Sequence, residues 1–269
     1  MTLAEHDGLS EGDDPSAHLA VFDAAASRAR VFCGTLLPLL EPLARARPDL
    51  AGGLMRAKGV VQLEAKDTDA AARLRIGDAR VIIEQGRGDA DVSCVFSDAG
   101  AMNAFFAGKT VLPRVTPAWG LARARLLFEA VRLLANLRVL ELLTRAVAQL
   151  ADERWEPATR LLSRGGERLY TWTVRGDETL SVYLAQRRAP PGPARLEAGR
   201  GSFEPAGQRP FVSFEFADVD AAFDLLVARD DLRAGIAARR LVARGSPETA
   251  IALLIVLQRA DALLAQGLP

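Results

Sequence analysis

The chain has 269 residues, of which 49% are hydrophobic and 25% charged, a globular composition with enough apolar mass for a core. Acidic and basic residues balance at 34 each and aromatic residues make up 6%, so we expect neither nucleic-acid binding nor a chain-wide attraction to anionic membranes. Only Lys58, Lys66 and Lys109 are lysines, and the excess of arginine, together with the abundance of alanine, indicates a bacterial-like genome bias.

The two cysteines, Cys33 and Cys94, are far apart and match no metal or redox spacing, which predicts a reduced, cytoplasmic setting. The first residues are acidic and lack an apolar core, so we expect no signal peptide and a disordered tail over residues 1–14. The longest apolar run, residues 250–257, is much shorter than the ~20 residues that cross a bilayer. We therefore expect no transmembrane segment.

The first half opens with a predicted helix, for which Asp14 and Pro15 form a typical start. Pro38, Pro42 and Pro48 then predict a break or kink in the helical path.

Four apolar or alternating runs predict strands next, and Gly77-Asp78 predicts a hairpin turn between two of them. The predicted strands are residues 59–66, 71–76, 79–85 and 91–97.

Asp98 predicts the cap of a short helix that carries Phe105 and Phe106, and Thr116-Pro117 predicts the start of a long helix over 116–151. Pro113 predicts that this half lacks an edge strand before that helix.

The second half repeats this order of elements. Gly176-Asp177 predicts a turn, Asp218 caps a predicted helix, and a closing helix follows "GSP" at 245–247. The predicted strands are residues 168–174, 179–185, 194–198, 210–217 and 239–244.

The matched order of elements predicts an α+β fold of mixed, mostly antiparallel sheets covered by helices, in a tandem or duplicated arrangement. We expect a first module over 15–151, which includes the long helix, and a second over 152–269. The polar stretch "ADERWEPATR" marks the boundary between them.

Few residues offer catalytic or ligating chemistry. The histidines, His6 and His18, lie near the N-terminus, which argues against Ser-His-Asp or Cys-His catalysis and against a histidine zinc site. The "AGKT" stretch at 107–110 resembles the end of a phosphate-binding loop, but Asn103 stands where that loop needs glycine. Paired carboxylates such as Asp218 and Asp220 are explained by helix capping. We therefore predict no catalytic residue, metal or cofactor.

The helices are unusually apolar. Residues 250–264 are hydrophobic around most of the helix circumference, and the predicted helix 116–151 is also broad, whereas a surface helix needs a stripe of about 100°. Two interpretations stay open: burial between protein layers or at a subunit interface, or the lining of a cavity for an apolar ligand.

Residues 165–264 resemble the type-two sterol carrier proteins, the nonspecific lipid-transfer family, and the resemblance extends more faintly to 53–145. The order that carries it is a strand, an Asp-led short helix, an edge strand, a Gly-Ser turn and an apolar C-terminal helix. The matching residues are Phe214, Phe216, Asp218, Phe223, Leu226, Gly235, Leu241, Gly245, Ser246 and Ala250.

The resemblance implies a non-catalytic protein that binds or transfers a lipid-like molecule, such as a fatty acyl chain, a sterol or another polycyclic or isoprenoid lipid, in an apolar cavity between sheet and helices. Arg239, Arg240 or Arg244 would then anchor a ligand carboxylate. The candidate ligand-binding residues are Val212, Phe214, Phe216, Phe223, Leu226, Leu241, Leu253, Leu254 and Leu257.

Two other interpretations stay open. In the first, the same helices form a homodimer or support a partner enzyme, because some family members are only accessory modules. In the second, the protein is an enzyme that uses carboxylates or arginines on a lipid-like substrate; the sequence offers no recognisable nucleophile for it.

Overall fold

The computed structural model of the chain describes most of the residues after Val21. The predicted tail at 1–14, the predicted helix start at Asp14-Pro15, Pro48 and the Gly77-Asp78 turn lie wholly or partly outside the described residues. The described ranges are 22–46, 52, 56, 58–77, 80–106, 109–128, 139–163, 166–188, 194–201, 209–226 and 231–265.

The first half forms a five-stranded sheet, sheet A, in the order β3-β2-β1-β4-β5. Neighbouring strands are antiparallel except β1 and β4, which are parallel. The strands are β1 (Gly59–Ala65), β2 (Ala71–Gly77), β3 (Arg80–Gln85), β4 (Val92–Phe96) and β5 (Arg114–Thr116).

The second half forms sheet B in the order β10-β9-β6-β7-β8. Its central strands β6 and β9 are parallel and the other pairs are antiparallel, so the two sheets share one topology. The α+β prediction with mixed, mostly antiparallel sheets is confirmed. The strands are β6 (Arg168–Val174), β7 (Asp177–Arg188), β8 (Ala194–Arg200), β9 (Val212–Phe216) and β10 (Leu241–Gly245).

The helices cover these sheets, and residues 121–128 are helical as well. The helices are α1 (Ala24–Val31), α2 (Leu40–Ala46), α3 (Ala99–Phe106), α4 (Val139–Asp152), α5 (Glu156–Ser163), α6 (Val219–Leu226), α7 (Leu232–Ala237) and α8 (Pro247–Ala265).

Alternation of side chains explains β4 and β9, which occupy the same place in the two sheets. "VSCVF" and "VSFEF" both bury their first, third and fifth residues, as a strand with one core face requires. An aspartate follows each strand after one residue. The Ala101 amide donates to Asp98 over 2.6 Å and the Ala221 amide donates to Asp218 over 2.7 Å, so both predicted helix caps are confirmed.

The prediction of a break at Pro38 is wrong. The chain stays helical from Ala24 to Ala46, through a π turn at Phe32–Leu36 and a 3₁₀ turn at Leu37–Leu39. Pro38 lies in the first positions of the 3₁₀ turn, where a missing backbone N–H removes no helical hydrogen bond.

Two predictions for the end of the first half are also wrong. An edge strand, β5, does form, because Pro113 lies just before it and so contributes no residue to the hydrogen-bonded ladder. Thr116 does not cap a helix but pairs with Ser93 in the sheet, and the following helical turn begins at Ala118 after Pro117. Part of the predicted long helix, residues 129–138, lies outside the described residues.

Helix α4 joins the two halves. It is buried on nearly all sides: between Leu140 and Ala151 only Arg145 and Gln149 are half-exposed. It packs on β7 and β8 of sheet B, on α8, and on α1 and the π turn of the first half. The buried apolar residues of both halves consequently form one continuous cluster. The module boundary near residue 152 stays a prediction.

Helix α8 begins as its sequence predicts. The Ser246 hydroxyl accepts from the Thr249 amide over 3.4 Å, Pro247 is the first helical residue, and Gly245 takes a φ of +106°. The helix contacts β9, β10, α4, α5 and α6. Its apolar surplus is therefore mainly buried between protein layers, except for Ile251 and Ile255, which face outward.

Replacing Gly245 by alanine should destabilise the protein more than the same change at Gly176. At Gly245 a Cβ would lie 2.2 Å from the Phe211 carbonyl oxygen, whereas at Gly176, with a φ of +81°, it would meet nothing within 4 Å. Both changes strain a left-handed backbone, at a cost of about 1 kcal/mol; the clash at Gly245 should add roughly 1–3 kcal/mol. Denaturant unfolding of the two variants measures the difference. Equal losses would contradict this account of the turn.

Candidate functional site

The predicted ligand-binding residues converge on one apolar layer between sheet B and its helices. Val212, Phe214 and Phe216 all project from β9 to this inner face and are buried. Leu241 pairs with Phe216 across β9 and β10. The helices contribute the other buried members of the set, namely Leu226, Leu253, Leu254 and Leu257.

Phe223 is in α6, as predicted, but its side chain lies outside what the structure describes. The rest of the set is in mutual contact within the core cluster, so side chains of the protein fill the positions that these residues occupy. Their role in binding a ligand stays a prediction.

The helices divide the inner face of sheet B between them. α4 lies over β7 and β8, while α8 lies over β9 and β10, and the two helices contact each other. Strand β6 lies between β9 and β7, so it runs beneath the line where α4 and α8 meet. We call this line the α4–α8 seam.

Trp172, at the middle of β6, occupies the position beneath the seam. It is 0% exposed, and its indole stacks on the ring of Phe214 with centroids 5.4 Å apart and planes 11° apart. Its Nε1 hydrogen is buried without a hydrogen-bond partner. A buried donor that is left unpaired costs about 1–3 kcal/mol, so the chain retains this group at the expense of stability.

Neighbouring polar groups in the layer are satisfied. The Gln186 amide donates to the Leu162 carbonyl over 3.1 Å, and the Gln258 amide donates to the Leu225 carbonyl over 3.1 Å. The Trp172 N–H therefore stands out as a single unanswered donor among these groups. The sequence carries a signal for it, a tryptophan within the alternating strand "RLYTWTV", but the predicted set drew only on residues 212–257.

The arginines proposed as carboxylate anchors have other partners or positions. Arg240 pairs with Asp224 over 2.8 Å, and Arg244 lies 3.8 Å from Glu215. Arg239 is exposed, with a φ of +57°. The two ion pairs hold α6 and β9 to the end of sheet B, and they offer a ligand carboxylate no unpaired cation.

Phenylalanine rings fill the corresponding layer of the first half. Phe105 lies 4.3 Å from Phe128 and 5.4 Å from Phe96, and Phe106 lies 4.5 Å from Phe32, all between ring centroids. A cleft of about 500 Å³ opens at the surface beside α1 and α3, lined by Arg28, Gly100, Asn103, Ala104 and Lys109. Because these rings pack on one another, the first half has a different interior from the second.

Buried charges are committed to structural ion pairs. Glu141 of α4 accepts from Arg200 of β8 over 2.5 Å and from Arg145 over 3.1 Å. Glu153 accepts from Arg30 over 2.8 Å and from the Ser27 hydroxyl, and the hydrogen bond with Glu153 raises the pKa of Arg30. These groups tie helices to one another and to β8. No cluster of histidine, cysteine or acidic side chains within the described ranges is arranged to hold a metal ion.

Neither cysteine should react with thiol reagents in the folded protein. Burial raises the pKa of the Cys33 and Cys94 thiols to about 12, so at pH 8 about one thiol in ten thousand is ionised. Titration with a chromogenic disulfide at pH 8 should give no rapid reaction, and the protein unfolded in guanidinium should release two equivalents. Rapid reaction of the native protein would contradict the burial of these residues.

No protein-family model and no curated protein sequence matches this chain. The chain is similar to solved sterol carrier protein domains. That of Helicoverpa armigera is 16% identical, with a TM-score of 0.29 over 44% of this chain and 85% of its own. Sterol carrier protein 2 of Yarrowia lipolytica is 11% identical, with a TM-score of 0.30 over 42% of this chain and 91% of its own.

A third similar structure is a conserved hypothetical protein of Thermus thermophilus for which a sterol carrier role is suggested. It is 16% identical, with a TM-score of 0.31 over 48% of this chain and 87% of its own. Within the described ranges, no helix has the length and apolarity needed to cross a bilayer.

Proposed function

We propose that the protein binds a lipid-like molecule without catalysis, in the apolar layer between sheet B and helices α4, α6 and α8. The observation that carries this proposal is the unpaired N–H of Trp172 beneath the α4–α8 seam. The ligand is a fatty acyl chain, a sterol or another polycyclic or isoprenoid lipid that carries an oxygen atom.

The ligand oxygen accepts the hydrogen bond that Trp172 lacks. The protein bears the unpaired donor in its free state and recovers roughly 1–3 kcal/mol when an acceptor arrives. The rest of the binding energy comes from apolar contact, because each buried CH₂ contributes about 0.8 kcal/mol. An acyl chain therefore reaches micromolar affinity, about −8 kcal/mol, with Trp172 as its one polar contact.

Binding requires the helices to part. The predicted ligand-binding residues cover one another in this structure, so a ligand enters by opening the α4–α8 seam. Leu253, Leu254 and Leu257 on α8 and Phe214 on β9 then face the ligand instead of each other. The free energy of that opening is offset by the area that the ligand itself buries.

The protein acts in the cytoplasm. Cys33 and Cys94 are both free and buried, which suits a reducing compartment.

Changing Trp172 to phenylalanine should weaken ligand binding about threefold to tenfold, because it removes the N–H donor and keeps the aromatic stack. Displacement of a fluorescent fatty acid measures the affinity. The matched control is Trp155→Phe, which removes the same indole from the turn between α4 and α5 and should leave affinity unchanged. Equal effects of the two changes would show that volume, and not the donor, matters.

Native mass spectrometry of the protein purified from cells should detect a bound lipid in the wild type and less in Trp172→Phe. Absence of any co-purifying lipid, together with no displacement of the fluorescent probe, would contradict the proposal.

A second candidate function is an accessory role through a homodimer, and two residues favour it. Ile251 and Ile255, one helical turn apart on α8, are 56% and 40% exposed. Such a pair on an otherwise buried helix is typical of an interface between subunits.

The double change Ile251→Gln and Ile255→Gln tests the homodimer. Sedimentation should show a dimer in the wild type and a monomer in the variant if this surface joins two copies. The control is Ile236→Gln, an exposed isoleucine on α7. A wild-type protein that is monomeric across micromolar concentrations would exclude this role for α8.

A further inference from the structure

Three large apolar side chains are concentrated at one edge of sheet A. Leu112, Trp119 and Leu121 are 75%, 62% and 59% exposed, more than any other large apolar residue that the structure describes. They flank β5, which is the edge strand of the sheet. We call residues 109–125 the edge segment. Exposed apolar groups this close in sequence mark a surface that contacts another phase or molecule.

The charge of the edge segment has one sign. It contains Lys109, Arg114, Arg123 and Arg125, and no aspartate or glutamate occurs from residue 99 to residue 128. The chain as a whole carries no net charge, so this stretch is a local departure from the average. Cations interleaved with exposed apolar side chains are typical of segments that lie in the interface of an anionic bilayer.

A cleft of about 210 Å³ brings the two kinds of side chain together. Its lining combines aliphatic residues of the sheet edge with the cations Lys66 and Arg114. Neither cation, nor Lys109, belongs to the ion pairs found among the described residues. The aliphatic residues of the lining are Val95, Val111 and Leu112. The cleft therefore offers unneutralised positive charge beside an apolar floor, which suits a lipid phosphate and its first methylenes.

Trp119 has the surroundings of an interfacial tryptophan. The Arg123 guanidinium lies 5.0 Å from the centre of the indole ring. An indole sits preferentially at the level of lipid headgroups, and an arginine beside it reaches a phosphate from the same depth. The two side chains are thus arranged to enter the same layer of a membrane.

We propose that the edge segment docks the protein on an anionic lipid surface. Leu112, Trp119 and Leu121 enter the headgroup region, and Lys109, Arg114 and Lys66 contact lipid phosphates. A nucleic acid fits this surface less well, because leucine side chains do not stack on bases. The inference is separate from the interior ligand site, because none of these residues belongs to sheet B or its helices.

Vesicle flotation tests this docking. The full-length protein, with and without prior delipidation, is mixed with vesicles of phosphatidylcholine alone or with about 30% phosphatidylglycerol. The wild type should float with the anionic vesicles, and high salt should weaken the binding. The triple change Lys66→Gln, Lys109→Gln and Arg114→Gln should reduce binding by about fivefold per cation, on the order of 100-fold in all.

The apolar part is tested by Leu112→Gln, Trp119→Gln and Leu121→Gln together, which should also abolish flotation. One matched control is Ile82→Gln, an exposed residue of β3 at the opposite edge of sheet A. A second control removes three other exposed arginines, Arg80, Arg195 and Arg233. Both controls should bind vesicles as the wild type does.

Tryptophan emission adds a readout of depth. Trp155 and Trp172 are buried, so a blue shift on addition of anionic vesicles reports Trp119. Trp119→Phe should lose the shift and keep flotation. The proposal is overturned if the wild type does not float, if the control variants lose as much binding as the edge variants, or if the protein binds only RNA, DNA or another protein. Because delipidated protein is tested as well, the result does not depend on an interior ligand.

Discussion

The burial of helix α4 between the two halves is the constraint on which the rest of the structure depends. One side of α4 covers β7 and β8. The other side is tied to the first half, where Gln149 accepts from the Thr35 hydroxyl over 2.8 Å and Glu153 accepts from Arg30 over 2.8 Å. Because a helix with so little polar surface is stable only when surrounded, both sheets must be present for α4 to fold. The single core that contains residues of both halves follows from this requirement.

The candidate site is a consequence of the same packing. α4 and α8 meet above the central strand of sheet B, and the residue at that point is Trp172. A seam between two helices separates more readily than a strand leaves its sheet, because no backbone hydrogen bonds cross it. The unpaired indole N–H therefore lies at the place where the layer opens at the lowest free energy, and the apolar residues around it supply contact area for whatever enters.

Much of this could be predicted from the sequence, and the errors have physical causes. Strands such as 91–97 and 210–217 were predictable because buried residues alternate, and Asp98 and Asp218 because caps act locally. Trp172 was missed because an unpaired donor is defined by what surrounds it in space. The edge strand β5 was missed because the effect of Pro113 depends on whether its N–H faces a partner. The edge segment escaped notice because a net charge of zero sums over positions that the fold separates.

The two sheets share one topology but differ most at their edges. β5 has three residues and precedes the exposed Trp119, whereas β10 has five residues and leads directly into α8. An edge strand contacts one neighbour, while α4 contacts both halves, so substitutions are tolerated at the edges long before they are tolerated at the centre. Two copies of one topology could therefore diverge in what they do while remaining inseparable as a fold: one keeping an interior for small apolar molecules, the other turning its margin toward larger surfaces.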